Sequence, residues 1–273
     1  MTHPIDPKRV AARQLSPPMV SYAQNFADVM LRRVLQDVKA GTYIDVGAQD
    51  STVDSVTKWF YDSGWSGINI EPHPDYFAQL TRDRPRDINL KIAVADTEGN
   101  AQFCFVRDSG LSSLDMGAAA IAAKHGLASQ MGTVEVRTLN SVLWQYPLPE
   151  IHFLKIDIEG GEAKALTGID LTVYRPWVVL VEATEPVSTV TTWHRFESLL
   201  TERGYQRVHF DGLNTWYLRD ESMALAEHFR LPPNLFDSFM RWKEHAWDLD
   251  QAKRTTASPR ATPAAGFKNL FGR

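Results

Sequence analysis

Residues 42–50 run Thr42-Tyr-Ile-Asp-Val-Gly-Ala-Gln-Asp50, a short apolar stretch that turns at Gly47, and helical spacing continues over Thr52 to Phe60. Together these predict strand, tight turn and helix, the opening unit of a nucleotide-binding α/β sheet. Gly47 has no Cβ, so a ligand can press against the backbone there. Asp45 stands at the carboxyl end of the strand, the edge at which open α/β sheets hold their ligands. A strand ending in Asp-x-Gly is common in α/β proteins, so the segment takes its meaning from the residues downstream.

The next apolar run, Ile68-Asn-Ile-Glu71, again ends in an acid. A carboxylate roughly twenty or more positions past a glycine turn, at the tip of the second strand, is placed to accept both hydroxyls of an adenosine ribose. Pro72-His73-Pro74 then leads into a helix over 75–82. A third strand is expected over Asn89 to Val94, where small residues such as Ala93 let an adenine lie against backbone, and Ala101 to Val106 alternates like a hairpin partner. The Gly-, Ser- and Ala-rich stretch 107–132, with Gly110-Leu-Ser-Ser113, is expected to form a lid over the ligand.

The second informative stretch is Ile151-His-Phe-Leu-Lys-Ile-Asp-Ile-Glu-Gly-Gly-Glu162. It predicts a buried strand to Asp157, a turn at Gly160-Gly161 and a helix starting at Glu162. Carboxylates gathered at one strand end raise one another's pKa and can take a proton or hold a cation. Trp177-Val-Val-Leu-Val-Glu182 is a further buried strand ending in an acid. Two alternating runs, 205–210 and 213–218, flank Asp211-Gly212 and predict a terminal antiparallel hairpin. Helices are expected over 19–39, with Asp28 and Arg32 as a surface pair, and over 52–61, 191–203, 221–229 and 235–247.

Composition bounds the rest. The chain has 273 residues and one cysteine, Cys104, which excludes an intrachain disulfide and a Cys-based metal site and suits a cytoplasmic protein. Residues 1–18 predict a loose arm, 19–250 the folded domain, and 251–273 a basic, disordered tail. That tail holds five cations and no acid, so the first 250 residues carry a net charge of −9. A body so acidic is a poor match to nucleic acid, and no stretch has the apolar length of a transmembrane segment.

The assembled residues resemble the FkbM-type family of S-adenosylmethionine-dependent methyltransferases. The resemblance runs from about Val20 to Met240, carried by Ser21-Tyr-Ala-Gln-Asn-Phe26, Tyr43-Ile-Asp-Val-Gly-Ala48, Gly67-Ile-Asn-Ile-Glu-Pro72, Phe153-Leu-Lys-Ile-Asp-Ile-Glu-Gly160, Arg175-Pro-Trp-Val-Val-Leu-Val-Glu-Ala183 and Phe210-Asp-Gly-Leu-Asn214. It implies a class I methyltransferase (Rossmann-like) sheet with helices on both faces, its last strand antiparallel, and helical additions at both ends. It also implies O-methylation of a sugar, glycan or secondary-metabolite hydroxyl. The chain departs from the pattern at Gln49 and Ser51, where further glycines are usual, and at Thr215-Trp216, where a basic residue is expected.

On this reading the candidate catalytic acids are Asp157, Glu182, Glu159 and Asp211. The cofactor S-adenosylmethionine falls to Asp45, Gly47, Ala48 and Gln49 at the turn, Glu71 and Pro72 at the ribose, Ala93 and Val94 at the adenine, and Ser112 and Asp157 beyond. Asp157, Glu182 and Asp211 offer oxygen ligands that would suit magnesium. His73, His152, His194 and His209 are secondary candidates, with His152 and His209 inside strands. The rival classes are a nucleotide-sugar oxidoreductase, which should show a Tyr–Lys pair at helical spacing that this chain lacks, and a non-catalytic adenosine-cofactor-binding module.

Overall fold

The computed structural model describes residues 18–107, 109–114 and 117–257; most of the expected arm, and residues 258–273 of the expected tail, lie outside them. The first element among the described residues is a strand, Met19–Ser21 (β1), and the expected helix is confined to Ala27–Val34 (α1). Asp28 explains the difference. Instead of pairing with Arg32 at the surface it is fully buried, and accepts hydrogen bonds from the Ser21 hydroxyl (2.7 Å) and the Tyr22 and Ala23 N–H groups (2.7 and 3.3 Å), which holds 21–23 extended.

The apolar runs then alternate with short helices: Thr42–Val46 (β2), Lys58–Asp62 (α2), Ser66–Ile70 (β3), Pro74–Asp83 (α3) and Ile88–Leu90 (β4). The strand expected over 89–94 breaks after Leu90, and Ala93–Val94 (β5) leaves the main sheet. It pairs in parallel with Ser129–Arg137 (β7), which also pairs antiparallel with Gly99–Val106 (β6). The segment expected as a lid is partly regular, with a helix over Gly117–Lys124 (α4) and the first residues of β7.

Leu139–Gln145 (α5) leads to Phe153–Ile156 (β8), Glu162–Thr167 (α6), Val178–Glu182 (β9), Glu197–Thr201 (α7), Tyr205–Phe210 (β10) and Asn214–Arg219 (β11). The seven-stranded sheet has the order β10-β11-β9-β8-β2-β3-β4. β11 runs antiparallel to both neighbours, and the β9-β8-β2-β3-β4 pairs are parallel. This is the class I methyltransferase arrangement.

Side-chain alternation explains why both faces are covered. Ile44, Leu154 and Val179 enter one apolar cluster with Leu143, Leu166 and Leu200 of the helices, while Tyr43, Phe153 and Val178 enter the other with Met30, Phe60 and Trp216. Asp220–Phe229 is a 3-10 segment rather than an α-helix. Ser238, at a left-handed φ of 50°, divides the helix expected over 235–247 into a short strand, Phe239–Arg241 (β12), which pairs with β1, and a helix, Trp242–Ala257 (α8). The start of the expected tail is therefore helical. Among the described residues no helix is long and apolar enough to cross a membrane.

Candidate active site

The carboxyl ends of β2, β3, β8 and β9 meet at a cleft of about 430 Å³, within the range of a small-molecule site. β2 ends in the glycine turn, where the Gly47 and Ala48 N–H groups donate to the Ile70 carbonyl at 2.9 and 3.1 Å and lock the turn onto β3. Gln49 takes a left-handed φ of 50°, a conformation that favours glycine. Its N–H donates to Glu71 Oε2 at 2.8 Å, and the His73 N–H donates to Oε1 at 2.7 Å. Burial pushes the Glu71 carboxyl up to about 7, against the pull of these two donors.

Beneath the turn lies Lys155, a buried cation whose Nζ donates to the Gly47 carbonyl at 2.7 Å and stands 3.2 Å from Asp45 Oδ1 and 3.5 Å from Asp157 Oδ2. Burial opposes its charge, but Asp45 and Asp157 outweigh that and hold the ammonium above its ordinary range. Sequence reasoning passed over Lys155, whose signal was a lone cation in the apolar run 153–156.

Asp45, expected among the cofactor residues, does not line the cleft. It is 1 % exposed and lies under the floor, its Oδ2 accepting from Thr57 Oγ1 at 2.9 Å, and Thr57 in turn accepts from Arg84. The other expected cofactor residues, Gly47, Ala48, Gln49, Glu71, Pro72, Ala93, Val94, Ser112 and Asp157, all line the cleft. Ser112 does so with its hydroxyl already accepting from the Val106 N–H at 2.9 Å, so it shapes the loop edge. Phe103 and Ile92 extend the apolar wall beside Ala93, a role the sequence did not signal.

Asp157, Glu159 and Glu182 converge on the cleft, with one oxygen of each within 4.8 Å of the others. Burial, then the charges of Asp157 and Glu159 and a hydrogen bond with Asp157, push the Glu182 carboxyl up to about 11. Burial followed by Asp157 and Glu162 pushes Glu159 up to about 8, and its buried Oε2 has no hydrogen-bond partner. Glu162 turns away to accept from the Ile158 and Gly160 N–H groups at 3.2 and 3.0 Å.

Asp211, expected as a catalytic acid and metal ligand, is not brought to this cluster. Its carboxylate ties the β10–β11 turn together, accepting from the Leu213 and Asn214 N–H groups (3.0 and 2.8 Å), Trp216 Nε1 (2.9 Å) and Asn25 Nδ2 (2.8 Å). An Asp in a tight turn favours such local bonds over a reach across the sheet. None of the described residues lining the cleft is a histidine. His73 instead caps α3 through Nδ1, and His152 Nδ1 accepts from the Thr42 N–H at 3.1 Å.

No curated protein matches the chain. Among solved structures it is similar to the O-methyltransferase from Bacillus cereus in complex with SAH, at 15 % identity over 77 % of this chain and 86 % of that one, with a TM-score of 0.37. It is also similar to a proposed O-methyltransferase from Klebsiella pneumoniae, at 15 % identity over 79 % and 90 % of the two chains, with a TM-score of 0.33. The model of the Methyltransferase FkbM domain matches residues 45–207, which include the glycine turn, Glu71, Lys155 and the acids of β8 and β9. On that match over more than half of its length, the chain belongs to the FkbM methyltransferase family.

Proposed function

We propose that the protein transfers a methyl group from S-adenosylmethionine to a hydroxyl of a sugar, glycan or secondary metabolite. The observation that carries this reading is that Glu71 and the Asp157–Glu182 pair open into one cleft, with β2 between their strands. At the spacing of neighbouring strands, Glu71 and Asp157 stand about 10 Å apart along the sheet edge, a distance suited to a ribose at one end and a reacting centre at the other. The residues fit the cofactor. Glu71 keeps lone pairs for ribose hydroxyls, Ala93, Val94 and Phe103 form an apolar wall for adenine, and the acids suit a cation.

S-adenosylmethionine supplies, when bound, an electrophilic methyl group on a sulfonium. The protein's part is to position the acceptor hydroxyl and receive its proton. Asp157 is the base, kept in place by the Lys155 ammonium on one side and by the protonated Glu182 on the other. No metal is needed for that chemistry, and a chelator tests the alternative in which Asp157, Glu159 and Glu182 hold magnesium.

The oxidoreductase reading meets an obstacle at the turn. A dinucleotide places its pyrophosphate on free N–H groups there. In this chain the Thr52 and Val53 N–H groups donate to Asp50 Oδ1, each at 2.8 Å, and Gln49 donates to Glu71. Incubation with labelled S-adenosylmethionine and a panel of free sugars, glycans and polyols tests the proposal, and label should appear in an acceptor. Calorimetry that finds NAD bound and S-adenosylhomocysteine unbound would sink it.

A further inference from the structure

Six carboxylates line the cleft, those of Asp50, Asp54, Glu71, Asp157, Glu159 and Glu182, and among the described lining residues Lys155 is the one cation. Its ammonium is already taken up by Asp45, Asp157 and the Gly47 carbonyl. Even when Glu159 and the buried Glu182 hold protons, the remaining carboxylates outnumber it.

Six backbone donors in the turns around the cleft are taken up in the same way. Thr52 and Val53 give their N–H groups to Asp50, Ile158 and Gly160 to Glu162, and Gln49 and His73 to Glu71. Turns of this kind are where phosphate-binding α/β proteins offer N–H groups to an anion. A side-chain carboxylate stands in each of them here. On β11, Thr215 and Trp216 are buried, and no residue of that strand lines the cleft. At the rim, Asp54 is exposed and held at a left-handed φ of 56° by its bridge to Ala23.

We infer that the acceptor is free of phosphate: an uncharged polyol or glycoside, or an amino sugar, rather than a sugar phosphate or a nucleoside diphosphate sugar. This rests on the methyl-transfer reading of the cleft. Among the described lining residues an anionic acceptor would find no cation outside the Lys155 ion pairs, would meet carboxylates already seated in the turns, and would be repelled by the acids around it.

The test uses the full chain loaded with S-adenosylhomocysteine, titrated by calorimetry with inorganic pyrophosphate and with uridine diphosphate glucose. Neither should bind more tightly than about 1 mM at low ionic strength. Asp54→Lys should tighten pyrophosphate binding at least tenfold over Asp54→Asn, which removes the charge with a side chain that tolerates the same φ, with both variants checked for an unchanged melting temperature. In turnover, the free form of a methylated sugar should exceed its phosphorylated form at least tenfold in kcat/KM, and the gap should narrow as salt rises. Saturable sub-millimolar binding of either anion by the parent chain, equal turnover of the phosphorylated form, or no gain in Asp54→Lys overturns the inference. Failure of S-adenosylhomocysteine itself to bind is a different result and fails the methyl-transfer reading.

Discussion

A Cβ placed on Gly47 would stand 1.9 Å from the carbonyl oxygen of Asp157. The glycine turn of β2 and the acid at the end of β8 are thus pressed together, and Gly47 also has a φ of 78° that disfavours any side chain. Gly47→Ala should therefore cost on the order of 3 kcal/mol of stability, read as a shift of the urea midpoint. An unchanged midpoint would mean the two strand ends are not in contact.

Lys155 neutralises the buried Asp45, so Lys155→Met should destabilise the fold by about 3 to 5 kcal/mol by leaving that carboxylate alone. Adding Asp45→Asn should restore part of the loss. A double-mutant cycle in urea that returns simple additivity would show that the pair is not coupled.

Glu71→Ala should weaken S-adenosylhomocysteine binding by about 2 to 3 kcal/mol, the loss of charged hydrogen bonds to the ribose. Glu71 also organises the Gln49 and His73 N–H groups, so calorimetry should be paired with a melting curve. Full affinity in a folded variant would remove Glu71 from the cofactor site.

The acids of β8 and β9 should respond differently. Asp157→Asn should lower turnover at least a hundredfold with cofactor affinity nearly unchanged. Burial and the neighbouring Asp157 and Glu159 charges push the Glu182 carboxyl up and favour its neutral form, so Glu182→Gln should stay within about tenfold of the parent. A larger loss in Glu182→Gln than in Asp157→Asn would make Glu182 the base, and loss of parent activity in chelator with return in magnesium would make the cluster a metal site.

Asp28 gives a pH signature. Burial raises its folded carboxyl to about 6, against 3.8 for the unfolded group, so between those values the native state binds the extra proton. Stability from this group is full below the lower value and falls as pH rises through the upper one. Urea midpoints measured from pH 4 to pH 7 should fall more in the parent than in Asp28→Asn, and parallel curves would count against the assignment.

Much of the site was legible along the chain because its signals are local. The glycine after an apolar run, the acids closing the 68–71, 151–157 and 177–182 runs, and the hairpin signal at Asp211-Gly212 each arise from a few neighbouring residues, and together they define the sheet and its carboxyl edge. The errors were non-local. Whether Asp28 pairs outward or turns in to hold Ser21 depends on which face of α1 meets the sheet, and the break after Leu90 depends on β7, some forty residues further on.

The sequence by itself determined the strands β2, β3, β8, β9, β10 and β11 in their order and the set of carboxylates at the strand ends, since hydrophobic period and turn residues act within a few residues. Only the tertiary structure decided which of those carboxylates face the cleft. Asp45, Asp157, Glu182 and Asp211 look alike in sequence, yet strand pairing puts Lys155 beside Asp45, sets Asp157 against Glu182, and leaves Asp211 bonded into its own turn. Register across the sheet, not the identity of the residue, set the partners of each.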